Sequence, residues 1–526
     1  MYDLLIKDTV IYDGNGGPGL PGHLAVQGER IATVSGKASG KAKRTIKGNG
    51  LAVCPGFVDI HGHSDYQIII NPQAESKVRQ GVTTEIAGNC GSSAAPIWGE
   101  AAEERKKSAK KIFGLEPHWK TLREYHQELI KEGISINFGS LIGQGNLRSS
   151  VMGGKDSAPA EEELHQMTRE AEAGMKEGAF GISAGLFYPP GCFTGLPELV
   201  ALGKVARQYY GIFAFHLRSE GKEIIEALGE ALKVGKEADI PLQISHLKLA
   251  ERENWDKIDA VFSLIEGAQA EGIRVSCDCY PYPASHTVLT SILPKWAVEG
   301  GREKMLSRLK KPEEREKIKE DISRQHPADY WESVVISQVF WEENRKYEGQ
   351  KLSQAASSEG KETLNFTLDL LCREEGRVTA IYFNMSEENL KRIIRRPYCM
   401  VGSDAALRAD HGVLSQGRPH PRAYGTFPRV LSKYVREEGI LDLGTAIRKM
   451  TLDPCRKLGI RERGELKAGN FADIVIFDPL KIEDRASYLE PRQYPRGIEY
   501  VIVNGKITVE EGKHTGERGG RILTRT

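Results

Sequence analysis

Between residues 55 and 454, short apolar runs alternate with stretches of helical pattern, and this alternation restricts the chain to parallel β/α units. The strand-like runs are Phe57–His61, Thr83–Ala87, Ile134–Ile142, Phe180–Ala184, Ile212–His216, Leu242–His246, Val275–Cys279 and Met400–Asp404. Eight units in series predict an α/β fold, a TIM-type (β/α)8 barrel over residues 55–454. A ninth run, Thr379–Asn384, is one too many and is assigned to an extra strand beside the barrel. Glu161–Glu177 and Lys222–Lys236 are helical connectors, rich in Ala, Glu and Lys with apolar residues at helical spacing.

Residues 1–54 read as short strands between Gly and Pro turns: Leu4–Tyr12, then a pair around Gly28-Glu29. Without helices this stretch is too small to fold alone. Its completion lies in Asp473–Phe477 and in two runs, Val501–Val503 and Lys506–Val509, that flank the hairpin signal Asn504-Gly505. One small β-sandwich domain built from residues 1–54 and 455–526 is therefore expected. Residues 296–350, between the seventh and eighth barrel runs, are highly charged with helical periodicity. They form an inserted subdomain, either a lid over the site or a solvated elaboration.

In barrel enzymes the chemistry gathers where strands end. His61 and His63 close the first run, and at i and i+2 they share one face. Cys90 follows the second run, His216 ends the fifth, His246 the sixth and Asp404 the eighth. Any one of these residues alone would be structural more often than not, since a buried Cys is usually a small hydrophobe. Together they are a set of zinc-type ligands, delivered by five different strands.

Lys plus Arg number 73 against 72 Asp plus Glu, which favours neither nucleic acid nor an acidic membrane as partner. No run approaches the ~18 apolar residues of a membrane span, and the N-terminus shows no basic leader. The eight cysteines have no framework spacing, which suits a reducing cytoplasm. Cys277 and Cys279 are read as facing opposite ways.

With these residues in place the chain resembles the amidohydrolase superfamily. Its members carry His-x-His on strand one, single histidines on strands five and six, and an Asp on strand eight. Many bridge two metals with a carboxylated lysine on strand four, but Ala179–Gly185 contains no lysine. A cysteine takes that role in the D-aminoacylase (N-acyl-D-amino-acid deacylase) family, and Cys90 matches it. Gly81–Glu85, His216–Gly221, His246–Lys248, Asp278–Tyr282 and Pro419–Phe427 are similar to stretches of that family, whereas the Ala405–Arg418 loop is longer.

The resemblance implies a tight zinc site of Cys90, His216 and His246, and a weaker second site of His61, His63 and Cys90 with Asp404 nearby. Zinc lowers the pKa of water it holds to ~7 and polarises a carbonyl. Asp404 would take the proton and deliver it to the leaving nitrogen; the alternative is a plain metal ligand. Lys248, Tyr282 and Arg422 would clamp the substrate α-carboxylate, with Arg as bidentate partner. Tyr188 would donate to the scissile carbonyl, and Arg218, Glu220 and Asp278 would orient histidines. An acidic substrate side chain would require one further cation, of which Lys295 is one candidate. The expected activity is hydrolysis of N-acyl-D-amino acids to a carboxylate and a free D-amino acid. The protein would be a cytoplasmic monomer or small homo-oligomer with only small molecules as partners. Two alternatives stand beside it. A dihydroorotase-like or isoaspartyl-dipeptidase-like hydrolase of cyclic amides or dipeptides is disfavoured by the absent strand-four lysine. A metal-free barrel scaffold is disfavoured by the complete ligand set.

Overall fold

The strands that close around the central axis are Phe57–Asp59, Val82–Ala87, Asn137–Ser140 continued by Ile142–Gly143, Gly181–Gly185, Ile212–His216, Leu242–Ile244, Val275–Cys279 and Cys399–Val401. They belong to a computed structural model that describes residues 1–37 and 40–525. All neighbouring pairs are parallel. The third strand breaks at Leu141, whose N–H bonds Ala87, and Phe180 N–H donates to Ser140 across the break. A parallel bridge between Gly62 and Ala405 joins the first strand to the eighth and completes the barrel. Ile60, Ile86, Leu141, Phe180, Ile212, Ala214 and Met400 fill its interior together with Leu458, and Leu523 packs against them. Residues 520–525 run along the entry to the third and fourth strands through hydrogen bonds to Ile134, Phe138 and Gly178.

The strands are shorter than the apolar runs, so His61, His63, His246 and Asp404 lie just beyond them. His61 and His63 are thus not alternate residues of a strand, although their rings still come within 5.2 Å. Cys90, His246 and Asp404 adopt left-handed backbone at φ 52°, 36° and 48°. Each such corner costs roughly 1–3 kcal/mol in a non-glycine residue and is held by its surroundings.

The chain ends form one nine-stranded sheet, branched at Tyr2–Ile11, which pairs Leu20–Gln27, Ala42–Lys47 and Ala52–Pro55. Leu4, Ile6, Leu24, Val26, Ile474, Ile476 and Ile502 form the core of this sheet. Ala52–Pro55 runs antiparallel to Ile474–Phe477, with Cys54 opposite Val475, and this pairing splices the two ends. Thr379–Tyr382 does lie off the barrel, as the central strand of an antiparallel sheet between Ser285–Val288 and Val334–Gln338. With the helices Arg302–Lys310, Pro312–Gln325, Leu352–Ser358 and Thr363–Arg373 it has its own core, including Leu309, Ile318, Val334, Phe366 and Leu371. The elaboration therefore extends on both sides of 296–350. The charge run marks only the exposed faces of two helices, while the sheet and later helices are apolar and left no such mark.

The connectors Glu161–Lys176 and Ile224–Glu237 fall where the helical pattern places them. Cys277 and Cys279 are two apart in a strand and share a face, correcting the expectation that they diverge. Both are buried, and the Cys279 thiol lies 3.5 Å from that of Cys399. All eight cysteines are free. Among the described residues no helix is long and apolar enough to cross a membrane.

His126, on the helix Leu122–Glu132, meets Ser140 Oγ at 3.3 Å under the barrel wall. Burial holds its imidazole down to about 4 from the ordinary 6.5. The unfolded chain therefore takes up this proton first as pH falls. The stability it contributes is intact above pH 6.5 and drains away towards pH 4. Between pH 7 and pH 5 the wild type should lose about 2 kcal/mol more than His126→Gln in denaturant titrations. Parallel losses in the two proteins would place the acid sensitivity elsewhere.

Candidate metal centre

Two groups of ligand-type atoms form at the strand ends and share Cys90. One is His61, His63, Cys90 and Asp404; the other is Cys90, His216 and His246. Within each, the candidate atoms lie within 4.8 Å of one another. Cys90 Sγ is 3.3 Å from His61 Nε2 and 3.5 Å from His246 Nε2. His216 Nδ1 is 2.8 Å from His246 Nε2, and Asp404 Oδ1 is 3.1 Å from His63 Nε2. His61, His216, His246 and Asp404 are buried, whereas Cys90 and His63 are half-buried, so the centre opens on their side.

Carboxylates behind the rings decide which nitrogen faces inward. Asp278 Oδ1 takes His61 Nδ1 at 2.9 Å and also the backbone N–H of His246 at 2.9 Å. Glu220 Oε1 lies 3.0 Å from His246 Nδ1. Both Nε2 atoms are thereby left for the centre, the arrangement expected of metal-ligating histidines. Arg218, also expected to support a histidine, instead makes a two-pronged contact with Glu230 at 2.9 Å.

The closely spaced donors explain the electrostatics. Burial alone would raise the Cys90 thiol, but His61, His246 and His216 outweigh it and hold the thiol well below its ordinary range, as a thiolate. Burial also opposes ionisation of Asp404, yet Arg422, His246, His63 and His61 hold its carboxyl well below the ordinary value. Burial lowers His216, and among the described residues its Nε2 has no hydrogen-bond partner. A thiolate, inward-facing imidazole nitrogens and an ionised carboxylate fit a zinc-type ion.

Sequence patterning missed several supports of this geometry. Lys77 is fully buried. Its ammonium contacts Asp59 at 2.7 Å, Ser403 Oγ at 2.9 Å and the Ala405 carbonyl at 2.8 Å, so both neighbours of Asp404 are held. Asn89 donates to the Gly62 and Ile86 carbonyls at 3.3 and 3.0 Å. A Cβ on Gly62 would meet Glu85 Oε1 at 2.0 Å, which is why the residue between the two histidines has no side chain.

Around the centre, Arg422 Nη1 lies 2.8 Å from Asp404 Oδ2, but out of line for a hydrogen bond, so it keeps a free donor. Lys248 Nζ sits 2.5 Å from Glu220 Oε1 and 2.9 Å from His246 Nδ1. Tyr188 is edge-on to His216 at 4.8 Å between ring centroids, with its hydroxyl 2.7 Å from Thr287 Oγ1. The Tyr282 hydroxyl donates to Asp484 at 2.7 Å, and burial pushes that carboxyl up to about 6. Tyr280 takes the place beside the cations. Its ring is 4.5 Å from the Arg422 guanidinium and 5.9 Å from Lys248 Nζ. Tyr280 sits two residues beyond Asp278, inside the Asp278–Tyr282 stretch that the sequence singles out.

The model of the amidohydrolase family matches residues 406–509. A D-aminoacylase of Alcaligenes xylosoxydans xylosoxydans is 33% identical over 100% of this chain and 98% of its own length. An N-acyl-D-glutamate deacylase of the same organism is 33% identical over 99% of this chain and 96% of its own. The crystal structure of N-acyl-D-glutamate deacylase from Bordetella bronchiseptica contains zinc and a phosphonate mimic of the tetrahedral intermediate. It superposes with a TM-score of 0.85 at 31% identity, covering 100% of both chains. Similarity that runs the full length of both chains, through the terminal sheet, barrel and elaboration alike, establishes that this chain belongs to the D-aminoacylase (N-acyl-D-amino-acid deacylase) family of the amidohydrolases.

Proposed function

We propose that this chain is a cytoplasmic, zinc-dependent deacylase that cleaves N-acyl-D-amino acids to a carboxylate and a free D-amino acid. The observation that carries it is the thiolate of Cys90 shared by two ligand groups, with Asp404 and the cations Arg422 and Lys248 at the rim. Cys90, His216 and His246 would hold one zinc ion tightly, and His61, His63, Cys90 and Asp404 a second more weakly. Zinc so held supplies a Lewis acid for the scissile carbonyl and makes water acidic enough to attack at neutral pH.

The other steps belong to the protein. The free donor of Arg422 binds the substrate α-carboxylate, with Lys248 adding charge and Tyr280 forming the wall between them. The Tyr188 hydroxyl, fixed by Thr287, lies beside His216 and donates to the carbonyl oxygen as charge develops there. Asp404, ionised in the resting state, accepts a proton from the attacking water. It then returns the proton to the leaving nitrogen, which could not otherwise depart as an amide anion. Ser285–Val288 brings the elaboration to the rim of the site, where the His286 carbonyl accepts from Arg422 and Thr287 Oγ1 meets the Tyr188 hydroxyl.

Amine release from paired N-acetyl-D- and N-acetyl-L-amino acids (Met, Leu, Phe, Glu, Asp) tests the reading, with zinc determined on the same sample. D-isomer turnover with about one or two zinc ions per chain is expected. Turnover confined to L isomers, or to cyclic amides and dipeptides, would overturn it.

A further inference from the structure

The deacylase reading leaves Arg408, a half-buried cation, unused. Arg408 lies in the Ala405–Arg418 loop, where the sequence departs from the family pattern. Its guanidinium meets only neutral oxygens, the Gln416 carbonyl at 3.4 Å and Gln338 Oε1 at 3.3 Å. Among the described residues it has no carboxylate at salt-bridge distance, whereas Arg422 has Asp404 at 2.8 Å. Burial lowers the Arg408 pKa and Arg492 lowers it further. Tyr424 and Glu348 oppose this without cancelling it, and the Glu348 carboxylate is engaged by the Val339 N–H at 3.1 Å. A guanidinium drawn out of bulk water without a counter-charge is costly, and an incoming anion relieves that cost.

Arg408 is continuous with the substrate-facing wall. Arg422 Nη2 donates to the His286 carbonyl at 3.2 Å, and His286 Nε2 contacts Ser337 Oγ at 3.0 Å. Gln338, the next residue, receives Arg408. Burial, then Arg422, then Arg408, hold the His286 imidazole down to about 3, so it sits neutral beside two cations. An acidic amino acid bears two carboxylates a few bonds apart, and the wall presents two guanidiniums connected through His286, Ser337 and Gln338. Lys295 is exposed and retains its hydration, which makes it a poor discriminator.

We propose that Arg408 binds the side-chain carboxylate of the substrate while Arg422 binds the α-carboxylate, so that the preferred substrates are N-acyl derivatives of acidic D-amino acids. The inference rests on the deacylase reading. A neutral isostere at the same place would leave the guanidinium without its anion, and a charge-assisted hydrogen bond is worth about 10- to 100-fold in kcat/KM.

The test compares N-acetyl-D-glutamate with N-acetyl-D-glutamine on the zinc-loaded full chain. The wild type should prefer glutamate by about 30-fold or more. In Arg408→Gln the ratio should collapse to near one, and Arg408→Lys should restore part of it. A wild-type ratio near one overturns the proposal without any variant. So does a ratio that survives in Arg408→Gln, or one that collapses in Lys295→Gln instead. Absence of turnover on every D substrate would defeat the deacylase reading itself. Thermal shifts then decide Arg408 separately: N-acetyl-D-glutamate should raise the wild-type Tm more than N-acetyl-D-glutamine does, and equal shifts overturn the proposal.

Discussion

Asp404→Asn is expected to lower kcat by about 10²- to 10⁴-fold, the usual contribution of a positioned acid–base group, while zinc stays with Cys90, His216 and His246. The amide keeps the shape of the carboxylate but cannot take a proton from water or return one to nitrogen. The variant will also be less stable. Arg422 is buried against Asp404, and removing one charge of such a pair costs about 3–5 kcal/mol. Activity should therefore be measured well below the variant's Tm, with zinc determined on the same preparation. An inactive, folded, metallated protein supports the proton-shuttle role. Loss of all metal with the activity would make Asp404 chiefly a ligand, and substantial residual kcat would remove it from the chemistry.

Cys90→Ser should be as damaging by another route. The thiolate stands between the two ligand groups, 3.3 Å from His61 Nε2 and 3.5 Å from His246 Nε2. A serine hydroxyl stays protonated near neutrality and is a harder, weaker ligand for zinc. Dialysed protein should fall from about one or two zinc ions per chain to about a tenth or less, with turnover lost in parallel. Full zinc retention in the serine variant would exclude Cys90 as a ligand.

The barrel was legible in the sequence because strand length and helical period are properties of neighbouring residues. So was the set of His61, His63, Cys90, His216, His246 and Asp404, which the structure gathers at one mouth. The way the chain leaves each strand was not. His246 and Asp404 turn on left-handed backbone, and neither Ser245-His246 nor Ser403-Asp404 carries the glycine that would announce it. The apolar runs therefore made the strands too long. Roles set by distant partners were equally invisible. Asp484, some 200 residues beyond Tyr282, draws that hydroxyl away and leaves Tyr280 beside Arg422. Lys77 gave no sign of being buried, because its partners Asp59, Ser403 and Ala405 meet only once the first and eighth strands close.

During synthesis, Cys54 emerges about 420 residues before its partner Val475. At ~5–20 residues per second that interval lasts about 20–80 s. For all of it, Ala52–Pro55 has Tyr2–Ile11 on one side and an unsatisfied edge on the other, and such edges invite pairing with other chains. Residues 520–525, which line the barrel entry, arrive later still. His61 stands six residues beyond Pro55, so the strand that presents it is fastened at one end only when the downstream sheet has formed. A nascent chain stalled before Ile474 would accordingly carry an open sheet edge and an unfastened first barrel strand, an aggregation hazard rather than a partly active enzyme.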